Sequence, residues 1–213
     1  MIFNYFLRKR TLMIEVEIKC QLTPEQEATL LKDAAFMSEE HITDVYYDTP
    51  TYDLSIKDYW LRTRNGTFAL KIPAPTTSTT AAQRYELDTE QDIRRELKLS
   101  TDIPLEQAIR NAGYKPLYTL QQHRRKYTKE GFTIDLDHAT FENFSFDRCE
   151  IETLVKKPKD VDQATKTLIA FAHRHNITPL PMDHHASKLA TLIKMVNPHH
   201  FALLEKAHTR RSQ

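Results

Sequence analysis

The chain has 213 residues, enough for one domain that buries a substantial hydrophobic core. Its 30 Lys and Arg against 29 Asp and Glu leave a formal net charge of +1, which argues against bulk electrostatic binding to nucleic acid or to an anionic membrane. It has only three glycines and no GxGxxG or P-loop string, so a nucleotide-binding fold built on a glycine-rich loop is disfavoured.

The cysteines and the N-terminal segment bear on location and domain organisation. Cys20 and Cys149 are far apart and no CxxC occurs, so we expect no disulfide framework and a reducing, cytoplasmic location. Residues 1–12 (MIFNYFLRKRTL) are too short for a membrane span and lack the charge-first order of a secretion signal. We expect an N-terminal extension over 1–12 and a single monomeric domain over 13–213 that includes the C-terminal helices.

The first third of the chain alternates strand and helix signals. Apolar and polar residues alternate over 13–22, which predicts a strand. Thr23 as N-cap, Pro24 at the first helical position and Gln26 three residues after the cap predict a helix that reaches about Phe36. Further strands are predicted, in chain order, at 42–48, 59–64, 67–72 and 83–88.

Turn residues join the later elements. Asn65-Gly66 predicts a tight hairpin, and the Pro, Thr, Ser and Ala of 73–83 predict an exposed connection. Helices are predicted at 89–99 and 104–112, strands at 118–128, 131–138 and 146–155, and helices at 160–176, 185–196 and 198–208. This order favours an α+β fold with an antiparallel sheet over a parallel βαβ fold.

Charged residues recur at two-residue spacing within the predicted strands. Because successive side chains of a strand point to opposite faces, both members of each pair share a face. The charges concerned are Glu15/Glu17/Lys19, Arg62/Arg64, Lys71, Asp135/Asp137 and Glu150/Glu152. A half-exposed sheet would explain any single pair, but neighbouring acidic pairs repel each other unless something cationic lies among them. We therefore predict a closed barrel with its charged side inward and helices on its apolar outer side.

Such an interior has a specific chemistry. Magnesium and manganese take carboxylate oxygens as ligands. Lys and Arg bind phosphate oxygens, and Arg can do so with two parallel hydrogen bonds. A metal bound together with a phosphate chain needs acids and bases side by side, which a chain of nearly zero net charge can supply. Phosphoryl transfer depends mainly on positioning and charge neutralisation, so it requires no Cys or Ser-His nucleophile.

Several motifs match one known family. Glu15-Val16-Glu17-Ile18-Lys19 resembles the ExExK motif of the CYTH superfamily, the triphosphate tunnel metalloenzymes. The further matching strings, in order, are Tyr46-Tyr47-Asp48-Thr49-Pro50, Trp60-Leu61-Arg62-Thr63-Arg64, Leu70-Lys71, Tyr85-Glu86-Leu87, Asp135-Leu136-Asp137, Glu150-Ile151-Glu152 and Ser187-Lys188-Leu189. The match covers about residues 13–195. The YYDTP string and the tryptophan ahead of the paired arginines look most like the animal thiamine-triphosphatases within the superfamily.

The resemblance implies an eight-stranded antiparallel barrel whose interior holds a small-molecule triphosphate together with Mg²⁺, for which Mn²⁺ is a substitute. It implies metal ligands at Glu15, Glu17, Asp135, Glu150 and Glu152. It implies phosphate-binding bases at Lys19, Arg62, Arg64, Lys71, Arg124 and Lys188, with Glu86 and Trp60 as further substrate contacts.

Several roles stay open at this stage. Arg125, next to Arg124, is an alternative phosphate ligand. Lys19 and Tyr46 match a pair that would activate water or protonate the leaving group, although Lys19 beside two glutamates would equally serve as an electrostatic clamp and Tyr46 as a strand aromatic. Trp60 is either a structural cap of the barrel or a cation–π partner for a thiazolium ring.

The leading functional expectation is Mg²⁺-dependent hydrolysis of thiamine triphosphate to the diphosphate and phosphate. A second possibility keeps the fold and changes the substrate to inorganic tripolyphosphate or a nucleoside triphosphate, and nucleotide cyclisation is a more distant one. A non-catalytic sensor of polyphosphate or nucleotides is the alternative from another class. The full set of expected metal ligands weighs against the sensor, because a pure binder needs bases more than acids.

Overall fold

The structure, a computed structural model, describes residues 13–74, 82–141, 144–181 and 187–211. Eight antiparallel strands close into one barrel in the order β1-β5-β4-β3-β2-β6-β7-β8. The strands are β1 (Ile14–Cys20), β2 (Ala35–Asp48), β3 (Trp60–Arg64), β4 (Thr67–Pro73), β5 (Ala82–Leu87), β6 (Lys115–Lys129), β7 (Phe132–Phe141) and β8 (Phe144–Val155). The helices within these residues are α1 (Pro24–Leu31), α2 (Glu90–Leu97), α3 (Leu105–Asn111), α4 (Val161–Arg174), α5 (Lys188–Val196) and α6 (Pro198–Arg211). The predicted barrel is confirmed, whereas the predicted extension over 1–12 and most of the 73–83 connection lie outside the described residues.

The first helix begins as predicted but ends earlier. Thr23 Oγ1 accepts from the Gln26 amide at 3.2 Å, and the Gln26 side chain accepts from the Thr23 amide at 2.9 Å, so the predicted N-cap is confirmed. The predicted end near Phe36 is wrong. Asp33 adopts a left-handed backbone (φ 61°), which a helix interior does not allow, and Ala35 already pairs with the sixth strand. β2 therefore starts seven residues before the predicted 42–48 segment. This first half of the strand is exposed on both faces and shows no alternation of apolar and polar residues.

The hairpin between β3 and β4 sets which side chains enter the barrel. Asn65 and Gly66 both have positive φ, 48° and 86°, as a two-residue type I′ turn requires. The turn pairs Arg64 with Thr67. Arg62 and Arg64 consequently share the inward face of β3.

Two helical layers cover the outer wall. The outward residues Ile14, Val16 and Ile18 of β1 are fully buried and cluster with Leu168 and Phe171 of α4. On the other side, Leu61 and Leu70 cluster with the apolar residues of α2 and α3, Ile93 and Ile109. These contacts hold the strands in place from outside and leave the other face of each strand for the interior.

The C-terminal helices cover part of the interior. Leu189 and Ile193 of α5 cluster with Tyr118, Leu120 and Ala139, which share the inward face of β6 and β7 by strand alternation. The interior is therefore charged along most of its length and apolar where α5 lies over it. Within the described part of the chain, no helix combines the length and the apolarity that a membrane crossing would need.

The core under α4 gives a stability prediction. Leu168 is 0% exposed, so Leu168→Ala should lower the free energy of unfolding by about 2–5 kcal/mol through lost burial and a residual cavity. Urea denaturation measures this change. Leu154→Ala is the matched control, because Leu154 is 58% exposed and its truncation should change stability by no more than about 0.5 kcal/mol. Equal losses from both variants would contradict the assignment of the core to this layer.

Candidate active site

The register of the ladders brings the predicted charges together. Glu17 lies opposite Glu152 and Lys19 opposite Glu150 between β1 and β8, and Glu150 lies opposite Asp135 between β8 and β7. Directly opposed residues of an antiparallel pair share a face. These side chains therefore meet inside the barrel, as the two-residue spacing predicts.

Three carboxylates form the candidate metal site. Glu15, Glu17 and Glu152 each offer an oxygen within 4.8 Å of the others. Glu152 makes no hydrogen bond or ion pair with any other described residue. Its burial, reinforced by the negative charges of Glu15 and Asp135, raises the pKa of Glu152 to about 7. Three carboxylates this close together, one of them without an ion-pair partner, fit a hard divalent cation, so these three residues could hold a metal ion.

The other two expected metal ligands contact bases. Asp135 forms an ion pair with Arg124, and Glu150 receives Arg124 Nη2 at 3.3 Å and Lys188 Nζ at 2.8 Å. Burial alone would raise the pKa of Glu150, but Lys188 and the other nearby cations hold that pKa well below its usual range. A metal-binding role for Asp135 and Glu150 stays a prediction.

Asp137 holds two predicted phosphate-binding bases. Arg124 donates to it from Nε and Nη2, both at 2.7 Å, and Lys188 Nζ donates at 2.5 Å. Arg125 lies on the outer face and donates to Glu27 of α1 at 2.7 Å. Of the two adjacent arginines, Arg124 is therefore the one inside the barrel. Asp137 supports the bases of the interior.

Asp44 is an interior acid that the sequence analysis missed. It is 0% exposed and accepts hydrogen bonds from Arg62 at 3.3 Å, from Arg64 at 2.9 Å through each of two nitrogens, and from Gln122 at 2.7 Å. Burial would raise the pKa of Asp44, but the Arg64 hydrogen bond and both guanidinium charges lower it. The only sequence signal for Asp44 is its spacing: it lies two residues before Tyr46 on the same strand and therefore shares a strand face with Tyr46.

Lys71 and Glu86 link the arginines to the carboxylate group. Lys71 Nζ donates to both oxygens of Glu15 at 2.8 Å. Burial lowers the pKa of Lys71, but the charges of Glu15 and the other nearby acids outweigh burial, so the net pKa is raised. Glu86 accepts from Arg62 Nη2 at 2.9 Å and lies 3.8 Å from Lys71 Nζ. Glu86 thus bridges two of the predicted phosphate-binding bases.

Lys19 and Tyr46, the predicted catalytic pair, contact different partners. Lys19 Nζ donates to Glu17. Tyr46 lies opposite Arg62 in the ladder and hydrogen-bonds with its side chain. In the described structure neither side chain's contacts include the other, so a joint proton-transfer role stays a prediction.

Trp60 lies at the edge of the interior, at the start of β3. Its indole Nε1 donates to Asp58 Oδ1 at 2.8 Å, and Arg84 donates to the same oxygen at 3.1 Å. The ring packs against the α5 cluster and also borders a small pocket that is partly open to solvent. The other aromatic residues that line this pocket are Tyr46, Tyr47, Tyr59, Tyr118 and His200. Both roles predicted for Trp60, cap and ligand contact, are compatible with this position.

The fold and the site together define a closed antiparallel barrel whose interior mixes acids and bases, with a three-carboxylate group suited to a metal. The chain belongs to the CYTH family: the model of the CYTH domain matches residues 13–180.

Solved structures share this barrel. The PH1819 protein from Pyrococcus horikoshii OT3 is 26% identical, with a TM-score of 0.61 over 85% of this chain and 99% of that one. PH1012 from the same organism is 18% identical (TM-score 0.52, 78% of this chain and 94% of that one). HpAC1 from Hippeastrum is 19% identical (TM-score 0.51, 84% and 94%). At these identities the likeness to PH1012 and HpAC1 establishes the fold.

The Asp44 network gives the second prediction. Asp44→Asn keeps the shape of the side chain but removes the carboxylate that Arg62 and Arg64 share, which leaves Arg64 without its ion pair and buried Arg62 with Glu86 alone. The free energy of unfolding at pH 7 should therefore fall by about 3 kcal/mol. Urea titrations of both proteins measure the difference. The exposed Asp102→Asn is the control and should leave stability within about 0.5 kcal/mol of wild type.

The same pair of proteins has a predicted pH dependence. Because the folded-state pKa of Asp44 is depressed, its contribution is fully present above the pKa of the unfolded chain, about 3.9, and is lost as the pH falls below that value. The stability difference between wild type and Asp44→Asn should therefore be constant from pH 7 to about 5 and shrink below about 4. A difference that grows on acidification would refute the ion-pair assignment.

Proposed function

We propose that this chain is a metal-dependent triphosphatase that hydrolyses a small-molecule triphosphate inside the barrel. The observation that carries the proposal is the adjacency of a three-carboxylate group and a set of interior bases, Lys19, Arg62, Arg64, Lys71, Arg124 and Lys188. Carboxylates suited to a divalent cation and bases suited to phosphate are both needed for a metal-bound triphosphate. HpAC1, which shares the fold, is described as having a dominant triphosphatase activity.

The interior ion pairs support an exchange of partners on substrate binding. Lys71 is held by Glu15, and Arg124 and Lys188 are held by Asp137 and Glu150. Buried charges need compensation while no substrate is present. A triphosphate entering among these bases would replace carboxylate oxygens with phosphate oxygens, and the bases would stay at their positions in the barrel wall.

Glu15, Glu17 and Glu152 would hold Mg²⁺ or Mn²⁺, because their donor set is all-oxygen and their three negative charges face only two bound bases, Lys71 and Lys19. A metal bound there would neutralise phosphate charge and polarise the phosphorus toward attack by water. The barrel strands hold both the bases and the acids in fixed positions. The substrate would therefore be oriented without movement of the barrel strands.

Lys19 acts best as an electrostatic clamp. It lies between Glu17, to which it donates, and the opposite Glu150. An ammonium held by a carboxylate in this position can stabilise negative charge on phosphate oxygens. Asp44 and Glu86 hold Arg62 with its donors aimed into the interior, so they position a base that the substrate would contact.

Thiamine triphosphate is the substrate we propose. Trp60 borders an aromatic-lined pocket at the edge of the charged interior, and a thiazolium cation can stack on such a ring. Inorganic tripolyphosphate and nucleoside triphosphates lack a fixed cation for this position.

Phosphate release from thiamine triphosphate, inorganic tripolyphosphate and ATP, each with Mg²⁺ and with EDTA, tests the proposal. We expect turnover with Mg²⁺, none with EDTA, and the highest kcat/KM on thiamine triphosphate. Equal or faster turnover of tripolyphosphate would overturn the thiamine assignment and leave the triphosphatase intact. Binding of these compounds without turnover of any would favour the sensor.

The Trp60 contact predicts a substrate-dependent effect. Trp60→Ala should raise KM for thiamine triphosphate about 10-fold, the loss of a cation–π contact of roughly 1–2 kcal/mol, and leave KM for tripolyphosphate nearly unchanged. Steady-state kinetics on both substrates measures the two effects, and Trp60→Phe, which keeps a ring, should recover part of the affinity. Equal effects on both substrates would mean that Trp60 acts only as a cap.

A further inference from the structure

Arg148 is an interior base that is not among the six predicted phosphate-binding residues. It lies on β8 two residues before Glu150 and directly opposite Asp137 of β7, so strand alternation puts it on the inward face. It is 9% exposed. In the sequence it extends the two-residue spacing of Glu150 and Glu152 by one position, but with the opposite charge.

No described carboxylate contacts the guanidinium of Arg148, although the charge of Glu150 lies near it. Arg148 makes no hydrogen bond or ion pair with any described residue, and its Nε is buried without a partner. The nearest carboxylate across the ladder, Asp137, is already occupied by two hydrogen bonds from Arg124 and one from Lys188. Glu150 is likewise shared by Arg124 and Lys188.

This position contrasts with the other interior bases. Lys71 is paired with Glu15, Arg62 and Arg64 with Asp44, and Lys19 with Glu17. An unpaired buried charge is destabilising, so a cation kept here without a carboxylate is suited to an anion that comes from outside the chain.

The inward residues of β8 run from acid to base to apolar. Glu152 and Glu150 come first, Arg148 follows, and Phe146 next packs against the α5 cluster. On the neighbouring β7 the inward series ends in the same way, with Ala139 in that cluster. Arg148 is thus the last charged residue on the inward face of β8 before the apolar surface that α5 covers.

We propose that Arg148 binds a phosphoryl group of the substrate, as an additional phosphate-binding residue at the boundary between the charged interior and the α5 cover. The inference rests on the proposed function for the class of ligand. A guanidinium with free donors can bind two phosphate oxygens at once. Because the surface beyond it is apolar, this contact also marks where the phosphate chain must end.

Binding of inorganic tripolyphosphate in EDTA, followed by calorimetry, tests the proposal without hydrolysis. Arg148→Gln should weaken binding at least about 10-fold, as expected for a lost charged hydrogen bond, and raise KM more than it lowers kcat. Its melting temperature without ligand should equal or exceed that of wild type, because no carboxylate loses a partner. Arg148→Lys, which keeps the charge but not the fork, should bind with intermediate affinity.

Arg125→Gln is the matched control, since Arg125 carries the same group on the outer face and its loss should leave tripolyphosphate binding unchanged. A lowered melting temperature with unchanged affinity in Arg148→Gln would overturn the proposal in favour of a structural role. Wild-type affinity in Arg148→Gln would overturn it while sparing the triphosphatase. Failure of the wild type to bind or hydrolyse any triphosphate would overturn both.

Discussion

Compensation of buried charge is the constraint on which this structure depends. A closed barrel removes its inward side chains from bulk water, and an isolated ion in such a place is unfavourable by several kcal/mol. The chain meets this constraint with near-equal numbers of acids and bases arranged as interior pairs, such as Arg124 with Asp137 and Lys71 with Glu15. Among the described residues, two depart from it: Glu152 makes no ion pair, and Arg148 contacts no carboxylate. A metal and a polyanion are the ligands that correct these departures.

The barrel wall makes such an interior possible because each strand places apolar side chains on its outer face and charged side chains on its inner face. In β1 the outward Ile14, Val16 and Ile18 pack under α4, while the alternating Glu15 and Glu17 face inward. Helix burial on one side therefore fixes the orientation of the charges on the other. An antiparallel ladder fixes their heights relative to neighbouring strands, which brings acids from distant parts of the sequence within contact distance.

How much of this the sequence predicts depends on whether a charge has a companion. Glu15 and Glu17 were predictable because their spacing identifies a strand face, whereas Asp44 has no charge two residues away on its strand. Arg148 does have such a companion, Glu150, so its inward face could have been predicted from the same spacing, and only its lack of a contacting carboxylate needed the structure. The choice between Arg124 and its neighbour needed the register of the β6–β7 hairpin. The turn Glu130-Gly131, with φ of 52° and 82°, pairs Lys129 with Phe132 and therefore Arg124 with Asp137. That two-residue turn was a usable sequence signal.

Other features were beyond sequence reasoning for a physical reason. α1 ends early because the chain that follows it pairs with β6 from Ala35 onward. This tertiary contact outweighs local helix propensity. The apolar part of the interior depends on α5, because Leu120 and Ala139 look like ordinary core residues until the helix that covers them is known. Periodicity assigns residues to faces, but which face is inside follows only from closure of the sheet.

The interior ion pairs also explain why only three of the five acids expected to bind metal form the candidate metal site. Asp135 and Glu150 are occupied by Arg124 and Lys188, the bases that a triphosphate would engage under the proposed function. A carboxylate that loses its base to a phosphate becomes a buried uncompensated anion, and a divalent cation bound to that phosphate would compensate it. Substrate binding and the availability of the last two acids would then be linked through the same two bases. By the reciprocity of linked equilibria, a metal would bind more tightly with the triphosphate present, and the triphosphate more tightly with the metal.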